Sequence, residues 1–535
     1  MDTIQFCYFL LTLVAGVFAL ELLVVELKRD LMMLQQNSYR IDRYIKWLRT
    51  SGDTTAFPRL IAMALFLLSM ATFSMDWIVA AAMALFSLVQ FIALRRRRYK
   101  KPLVFTQRAI RIRAVGALLS LAVILAITLL YKWDNIWYVI AVASVGMYCA
   151  SHIITIAACW LLSPVERHIN RRYYRDAEHR LQAMPGLKVI GITGSYGKTS
   201  TKHYLETILS EHFDVLMTPG SYNTTMGVIR TVREYLKPYH EVFIVEMGAK
   251  QRGDIKEICD LVHPGIGIIT AVGEQHLESF KSIENVQATK FELVDSLPAG
   301  GLAVLNDDFP YISGRTVENA EAVRYAISAS GGADYVATDI VYAPTGTDFT
   351  VKGPDGFTLK LHTRLVGECN ISNLLAAVIV AIRLGVTAGE ISYAVDRIEP
   401  VEHRLSMKRT PAGVTIIDDA FNSNPAGSKM ALEVLKMMDT GKRIVITPGM
   451  IELGDRQNDL NMELGRTIAH CADIAIIVGE YNREALAGGI RAEGILPEGN
   501  IMEAATFTHA QQMLSSVVAP GDTVLYENDL PDTFK

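Results

Sequence analysis

The first 163 residues carry five stretches that are apolar and long enough to be read as membrane-crossing helices, at about 4–25, 58–75, 77–94, 114–131 and 136–162. No other feature constrains the fold as much. A run of roughly 17–25 apolar residues matches the hydrocarbon thickness of a bilayer, and in lipid its backbone must satisfy its own hydrogen bonds, which a helix does. The second and third stretches meet at Asp76-Trp77 and read as a tight hairpin. The first lacks the basic start of a cleaved signal peptide and is followed by further spans.

Charge divides the chain at the same place. Residues 1–185 hold 22 Lys and Arg against 11 Asp and Glu, whereas the remainder holds 30 against 45. The basic residues concentrate in two loops, 27–56 (Lys28, Arg29, Arg40, Arg43, Lys46, Arg49) and 95–113 (Arg95–Arg98, Lys100, Lys101, Arg108, Arg111, Arg113). The positive-inside rule places both in the cytoplasm. With five spans, the N-terminus is expected outside and everything beyond 163 inside, as a multi-pass protein of the cytoplasmic (inner) membrane. Beside a span, the Arg95–Arg98 run reads as a topology determinant that attracts anionic lipid heads rather than nucleic acid. His152 falls inside the last stretch, where an ionisable group is a candidate functional residue. Segment 164–185 is basic and amphipathic, an expected interfacial linker. Hydrophobic residues make up 50% of the chain and charged ones 20%, which excludes a disordered polymer. Six cysteines without paired spacing exclude a disulfide scaffold and a CxxC zinc site, and fit a reducing compartment.

Beyond residue 185 the pattern becomes that of an alternating α/β protein. Leu187–Ile192 is a short apolar run, read as a buried strand. Glycines 191, 194 and 197 follow, then Lys198, Thr199 and Ser200 and a helical stretch to about 212. Strand, Gly-rich turn and helix is the context of a phosphate-binding loop. Inward-turned backbone N–H groups and the positive end of a helix cradle an anion. Lys198 is placed to meet the β/γ-phosphates and Thr199 to hold Mg²⁺. Glu246 ends a predicted strand, at the sheet edge where a metal ligand belongs. Further clusters are Gly220–Gly227 with Asn223, the string Gly273-Glu274-Gln275-His276-Leu277-Glu278 with Lys290 beyond it, and Gly367-Glu368-Cys369-Asn370-Ile371-Ser372-Asn373 opening an apolar helix. After about 396 strands and helices restart, with Asp418–Pro425 and Pro448–Gly454 as the turn-rich loops. The expected architecture is an α-helical membrane region of about five transmembrane helices (1–163), a linker (164–185), an ATP-binding P-loop domain with a parallel sheet (186–395) and a smaller Rossmann-like domain (396–535).

The strings TGSYGKTST (193–201), YNTTMGV (222–228), VEMGA (245–249), ITAVGEQHLESF (269–280), ATKFEL (288–293), NISNLLAA (370–377), DDAFNSNP (418–425) and GMIELGD (449–455) resemble, in order, the motifs of the Mur ligases, and most of all their D-alanyl-D-alanine-adding branch. The resemblance covers about 186–535 and none of the apolar region. It implies an ATP-dependent acid–amino-acid ligase of peptidoglycan precursor synthesis, working through an acyl phosphate with two Mg²⁺ ions. It implies that Gly194, Ser195, Gly197, Lys198, Thr199 and Ser200 cradle the phosphates, that Asn370 and Asn373 lie on the adenine side, and that Arg404 and Asp419 meet the nucleotide when the domains close. Thr199 and Glu246 would bind the first metal, and His276 and a carbamylated Lys290 the second. Asn223, Asn422, Asn424 and Glu452 would face the substrates. These are a carboxylate acceptor, of peptidoglycan type or lipid-linked, and an amino acid or dipeptide amine.

The sequence departs from that branch in places. Ser221 and Thr224 stand where it has Asn, Cys369 and Asn461 where it has His, and the end YENDLPD (526–532) is unlike its KGS-type ending. The UDP-sugar-gripping domain is replaced by the apolar region. A related ligase of a non-peptidoglycan polymer, such as poly-γ-glutamate or an amino-acylated polymer, shares the same motifs. An ATP-driven transporter or nucleotide-gated scaffold leaves the metal, lysine and hinge motifs unexplained, and the chain has no LSGGQ-type signature.

Overall fold

The computed structural model describes residues 3–72, 77–97, 99, 101–131, 135–275, 277–327, 332–343, 346–420 and 423–529. His276 and Asn422, both expected at the site, therefore lie outside the described residues. The described residues divide into two units, up to residue 171 and from residue 172 on, the boundary falling inside one helix, Ser151–Gln182.

The first unit is helical: Thr3–Gln36, Ile41–Thr50, Phe57–Thr72, Trp77–Arg96, Gln107–Tyr131, Ile136–Cys149 and the start of Ser151–Gln182. Small residues of the first helix, Ala15, Gly16 and Ala19, let its neighbours approach closely. A Cβ on Gly16 would stand 2.8 Å from the Trp137 carbonyl oxygen. Large apolar side chains such as Phe6, Phe9, Val17 and Leu20 on the first helix, and Leu118, Leu121, Leu125 and Leu129 on Gln107–Tyr131, point outward.

The five-span expectation is corrected. Among the described residues, three helices, Thr3–Gln36, Trp77–Arg96 and Gln107–Leu130, are long and apolar enough to cross a bilayer, and a fourth counts if Ile136–Cys149 and Ser151–Gln182 form one broken span. Among the described residues the second stretch gives a helix of 16 residues, Phe57–Thr72, about 24 Å against a hydrocarbon core of about 30 Å. The fifth breaks at Ala150 with a bend of 77°. Arg59 stands at that break. It donates to the carbonyl oxygens of Tyr148 (2.7 Å) and Cys149 (3.2 Å), backbone groups that an unbroken helix would pair internally, and to the Ser151 side chain (Oγ, 3.2 Å). The alternating in–out scheme drawn from five spans loses its count with them.

The same guanidinium, 4% exposed, pairs with Glu26 at 2.6 Å and Asp53 at 3.1 Å, and Arg29 pairs with the same two acids. Arg59→Met leaves these buried carboxylates with one cation fewer and strips the broken helix end of its donor. Loss of one partner of a buried pair costs about 3–5 kcal/mol. The detergent-solubilised chain is expected to lose the thermal transition of its helical unit; a midpoint within about 2–3 °C of wild type would contradict the stapling role.

The second unit has two sheets. The larger comprises β1 (Lys188–Thr193), β2 (Val215–Met217), β3 (Val242–Glu246), β4 (Ile266–Ile269), β5 (Leu302–Asn306), β6 (Glu321–Ile327), β7 (Tyr335–Ala343), β8 (Gly346–Lys352) and β9 (Thr358–Thr363), in spatial order β2-β3-β1-β4-β5-β6-β7-β8-β9. It is parallel from β2 through β7, and β7, β8 and β9 then run antiparallel. The parallel strands are buried on both faces, which is why β3 (VFIVE) reads as an unbroken run with no polar alternation. Helix Glu368–Arg383, buried along most of its length, packs on helix Lys198–Leu209 and on the sheet.

The smaller sheet comprises β10 (Ser406–Arg409), β11 (Thr415–Asp419), β12 (Arg443–Thr447), β13 (Ile474–Val478), β14 (Ile501–Ala504) and β15 (Thr523–Glu527), in order β10-β11-β15-β12-β13-β14. Only β10 is antiparallel to its neighbour. In both sheets the carboxyl ends of the parallel strands carry the motif loops, the edge at which α/β sheets bind ligands.

Candidate active site

The glycine-rich loop leaves β1 at Thr193 and enters helix Lys198–Leu209 through Gly197, whose φ of +83° is a left-handed conformation that costs glycine nothing. A Cβ there would run into the Asn373 side chain, so the glycine also lets helix Glu368–Arg383 come in close. Ser195 Oγ accepts from the Gly273 amide (3.1 Å) and donates to its carbonyl (3.0 Å), and Thr270 Oγ1 donates to the Tyr196 carbonyl. The loop is thus braced from the end of β4. Lys198 Nζ donates to the carbonyls of Gly194 (2.7 Å) and Ser195 (3.2 Å). Burial pushes the pKa of this ammonium down to about 8, against the pull of Glu246.

Glu246, at the end of β3, is 1% exposed. Thr199 Oγ1 donates to its Oε2 at 3.1 Å and Asn223 Nδ2 to its Oε1 at 3.0 Å. Burial works to raise its pKa, but Lys202 and then Lys198 hold it below the usual carboxylate range. Lys290, on helix Ile283–Asp295, is 3% exposed; burial, with the Lys198 charge second, pushes it well below the ordinary lysine value.

One cavity gathers residues from both sheets: Gly197, Ser200, Asn306, Asn370 and Asn373 from the central part, and Arg404, Asp419 and Asn424 from the C-terminal part. Tyr204 OH donates to Asn370 Oδ1 (2.8 Å) and Asn370 Nδ2 to the Val366 carbonyl (2.9 Å), so this asparagine is fixed. Asp419 accepts from the Leu405 amide (3.0 Å), and burial pushes it up to about 6 although Arg404 pulls the other way. Arg456 pairs with Glu274 across the two parts.

Two sequence-selected residues are placed less directly. Asn424 spends its Oδ1 on capping helix Pro425–Lys436 through the Gly427 amide (2.9 Å), although it lines the cavity. Glu452 sits in the loop after β12 with φ of +62°, outside that lining. Strain of this kind persists where surrounding structure enforces it. Sequence reading passed over Lys202, Thr218 and Asn306. Lys202 alone had a legible signal, lying four residues after Lys198 on the same helix face.

The family model of the Mur ligase middle domain matches residues 192–381, and that of the Mur ligase glutamate ligase domain matches 403–526, together more than half of the chain. The chain belongs to the Mur ligase family. It is an ATP-dependent ligase. The UDP-N-acetylmuramoyl-tripeptide–D-alanyl-D-alanine ligase of Bacillus subtilis is 27% identical over 64% of this chain and 73% of its own length. The ligase of the same name from Mycobacterium tuberculosis is 30% identical over 64% and 67%. Among solved structures, the MurF ligase of Thermotoga maritima in complex with ADP superposes with a TM-score of 0.59 at 26% identity, covering 67% of this chain and 80% of that one. The matched family domains begin at Ile192, so the helical first unit is extra to them.

Proposed function

We propose that this chain is a membrane-embedded Mur-type ligase that uses ATP to activate a carboxylate of a cell-envelope precursor as an acyl phosphate, and then joins it to an amine. The observation that carries this reading is the convergence of Lys198, Thr199, Glu246 and Asn223 at one sheet edge, with Arg404 and Asp419 closing the cavity from the other sheet.

The chemistry follows from the poor electrophilicity of a carboxylate. A carboxylate oxygen attacks the γ-phosphorus, the bond to the β-phosphate oxygen breaks, and ADP leaves. The amine nitrogen then attacks the acyl carbon, loses its proton, and inorganic phosphate departs. Lys198 and the loop N–H groups offset charge on the transferring phosphoryl group. Asn370 and Asn373 hold the adenine side. Arg404 and Asp419, brought in by the second sheet, exclude the water that would hydrolyse the acyl phosphate. Asn223, Asn422, Asn424 and Glu452 are assigned to the substrates.

Magnesium fits the donor set. The Thr199 hydroxyl and the Glu246 carboxylate are hard oxygen ligands held 3.1 Å apart beside the phosphate loop. A bound ion there would draw charge from the phosphate oxygens. His276 and a carbamylated Lys290 are assigned to a second ion. The neutral amine is the form that adds to CO₂, giving a carbamate and a proton, and burial disfavours the charged form of Lys290.

The named relatives act on a UDP-N-acetylmuramoyl-tripeptide and D-alanyl-D-alanine. We assign to this chain a peptide carboxylate of that type and an amino acid or dipeptide amine. The apolar helices outside the family domains favour an acceptor delivered on a lipid, at the inner membrane, with the ligase part on the cytoplasmic side where ATP is found. In vesicles containing the full chain, ADP release is expected only when acceptor and amine are both present, and lipid-linked MurNAc-tripeptide is expected to turn over at least about tenfold faster than the UDP-linked form. ATP turnover independent of both substrates, with no amide by mass spectrometry, would overturn the reading.

A further inference from the structure

Lys202 is a buried cation to which neither the motif resemblance nor the reaction scheme gives a role. It lies one helical turn beyond Lys198, its side chain is wholly buried, and all three of its N–H donors have acceptors: the carbonyls of Thr218 (2.8 Å) and Gly220 (2.5 Å), and Glu246 Oε2 at 3.2 Å. Those acceptors belong to one closed ring. The Thr218 amide donates to the Ile244 carbonyl, and the Glu246 amide donates to Thr218 Oγ1 (3.1 Å). Farther along the same loop, Asn223 accepts from the Gly248 amide through its carbonyl (2.7 Å) and donates to Glu246 Oε1 (3.0 Å). The loop 218–223 and the strand end 244–248 are therefore zipped together, and Lys202 is the ion at the junction.

Resting on the ligase reading, we propose that Lys202 is a positioning residue: it holds the Glu246 carboxylate aimed at the glycine-rich loop, and ties it to the loop that carries Asn223. The physical need is plain. A carboxylate 1% exposed is costly without a counter-charge. A counter-ion supplied by the chain keeps Glu246 oriented before any metal–nucleotide complex arrives, which lowers the ordering cost of binding. Lysine suits the slot because a compact ammonium directs its three donors tetrahedrally at acceptors on different sides, whereas the donors of a guanidinium all lie in one plane.

The test is a thermodynamic cycle on the full chain, read by calorimetric binding of ADP with and without Mg²⁺, so that no amide need form. Lys202→Met is expected to weaken Mg²⁺-dependent ADP binding about tenfold or more, the size usual for partners that orient a metal ligand, while metal-free ADP binding changes less than about threefold. In a Glu246→Gln background the same substitution is expected to cost less than about twofold, because the group it positions is gone. Equal losses with and without Mg²⁺, or an undiminished loss in the Glu246→Gln background, would overturn the proposal. Should Lys202→Met alone fail to fold, the comparison of Glu246→Gln with the double variant stands in its place: folding restored in the neutral pair supports the assignment, and unfolding in both backgrounds makes Lys202 a scaffold residue and overturns it. Loss of amide chemistry with this coupling intact would refute the ligase reading and leave Lys202 in place.

Discussion

Lys198→Ala is expected to lower the rate of amide formation by about two to three orders of magnitude, with little change in thermal midpoint. The lysine sits at the start of its helix, bonded only to loop carbonyls and acting on Glu246 through space. Its side chain is not a packing element of either hydrophobic core that flanks the sheet. What it supplies is charge where charge develops, and removal of one such preorganised group costs about 10²–10³ in turnover. Initial rates of ADP release in the presence of acceptor and amine measure the loss, and circular dichroism checks the fold. A decrease smaller than about tenfold would place the phosphoryl-transfer centre elsewhere.

Lys290→Ala is expected to lower turnover by a comparable factor, and short-chain carboxylic acids such as acetate or propionate restore part of it. Lys290 is buried on helix Ile283–Asp295, and its charged form is disfavoured first by burial and then by Lys198. The carbamate turns this side chain from a cation into a carboxylate-like metal ligand. A small carboxylic acid entering the space vacated by the truncated side chain replaces that group. Activity near wild type in the alanine variant, with no response to added acid, would remove the carbamate from the scheme. Deprivation of CO₂ in the wild type gives the same readout without a substitution.

Much of the ligase part was legible from local rules. The β1 run, the Gly194–Gly197 turn and the helix from Lys198 follow one another as hydrophobic period and turn chemistry demand, and the structure shifts the expected boundaries by one to three residues. Glu246 was placed by the rule that ligands gather at the carboxyl edge of parallel strands. The antiparallel β7, β8 and β9 escaped, because their half-exposed strands alternate polar and apolar residues around short turns and carry no motif. Lys202 escaped for another reason: its spacing places it on the helix face of Lys198, but that spacing alone does not separate a lysine with three buried acceptors from a solvated one. Asn424 was selected as a substrate residue, and part of its polarity is spent capping a helix, which only the backbone geometry of residues 424–427 discloses.

The helical unit shows the limit most clearly. Hydropathy locates apolar residues, but not where a helix breaks. The break at Ala150 depends on Arg59, far earlier in the chain, reaching the carbonyls of Tyr148 and Cys149. Arg59 lies within an apolar run and could not be paired with Glu26 and Asp53 until the helices were packed. Long-range burial of charge is invisible to any window-based reading.

The account stands on activation of a carboxylate by ATP, and isotope transfer tests that step directly. The full chain in vesicles would be given ATP, D-alanyl-D-alanine and a MurNAc-tripeptide labelled with ¹⁸O in its terminal carboxylate, supplied in both lipid-linked and UDP-linked forms. An acyl phosphate carries one carboxylate oxygen away on the departing phosphate, so the phosphate released is expected to contain one ¹⁸O for every amide formed. Unlabelled phosphate accompanying the amide, or label recovered in AMP, would contradict it.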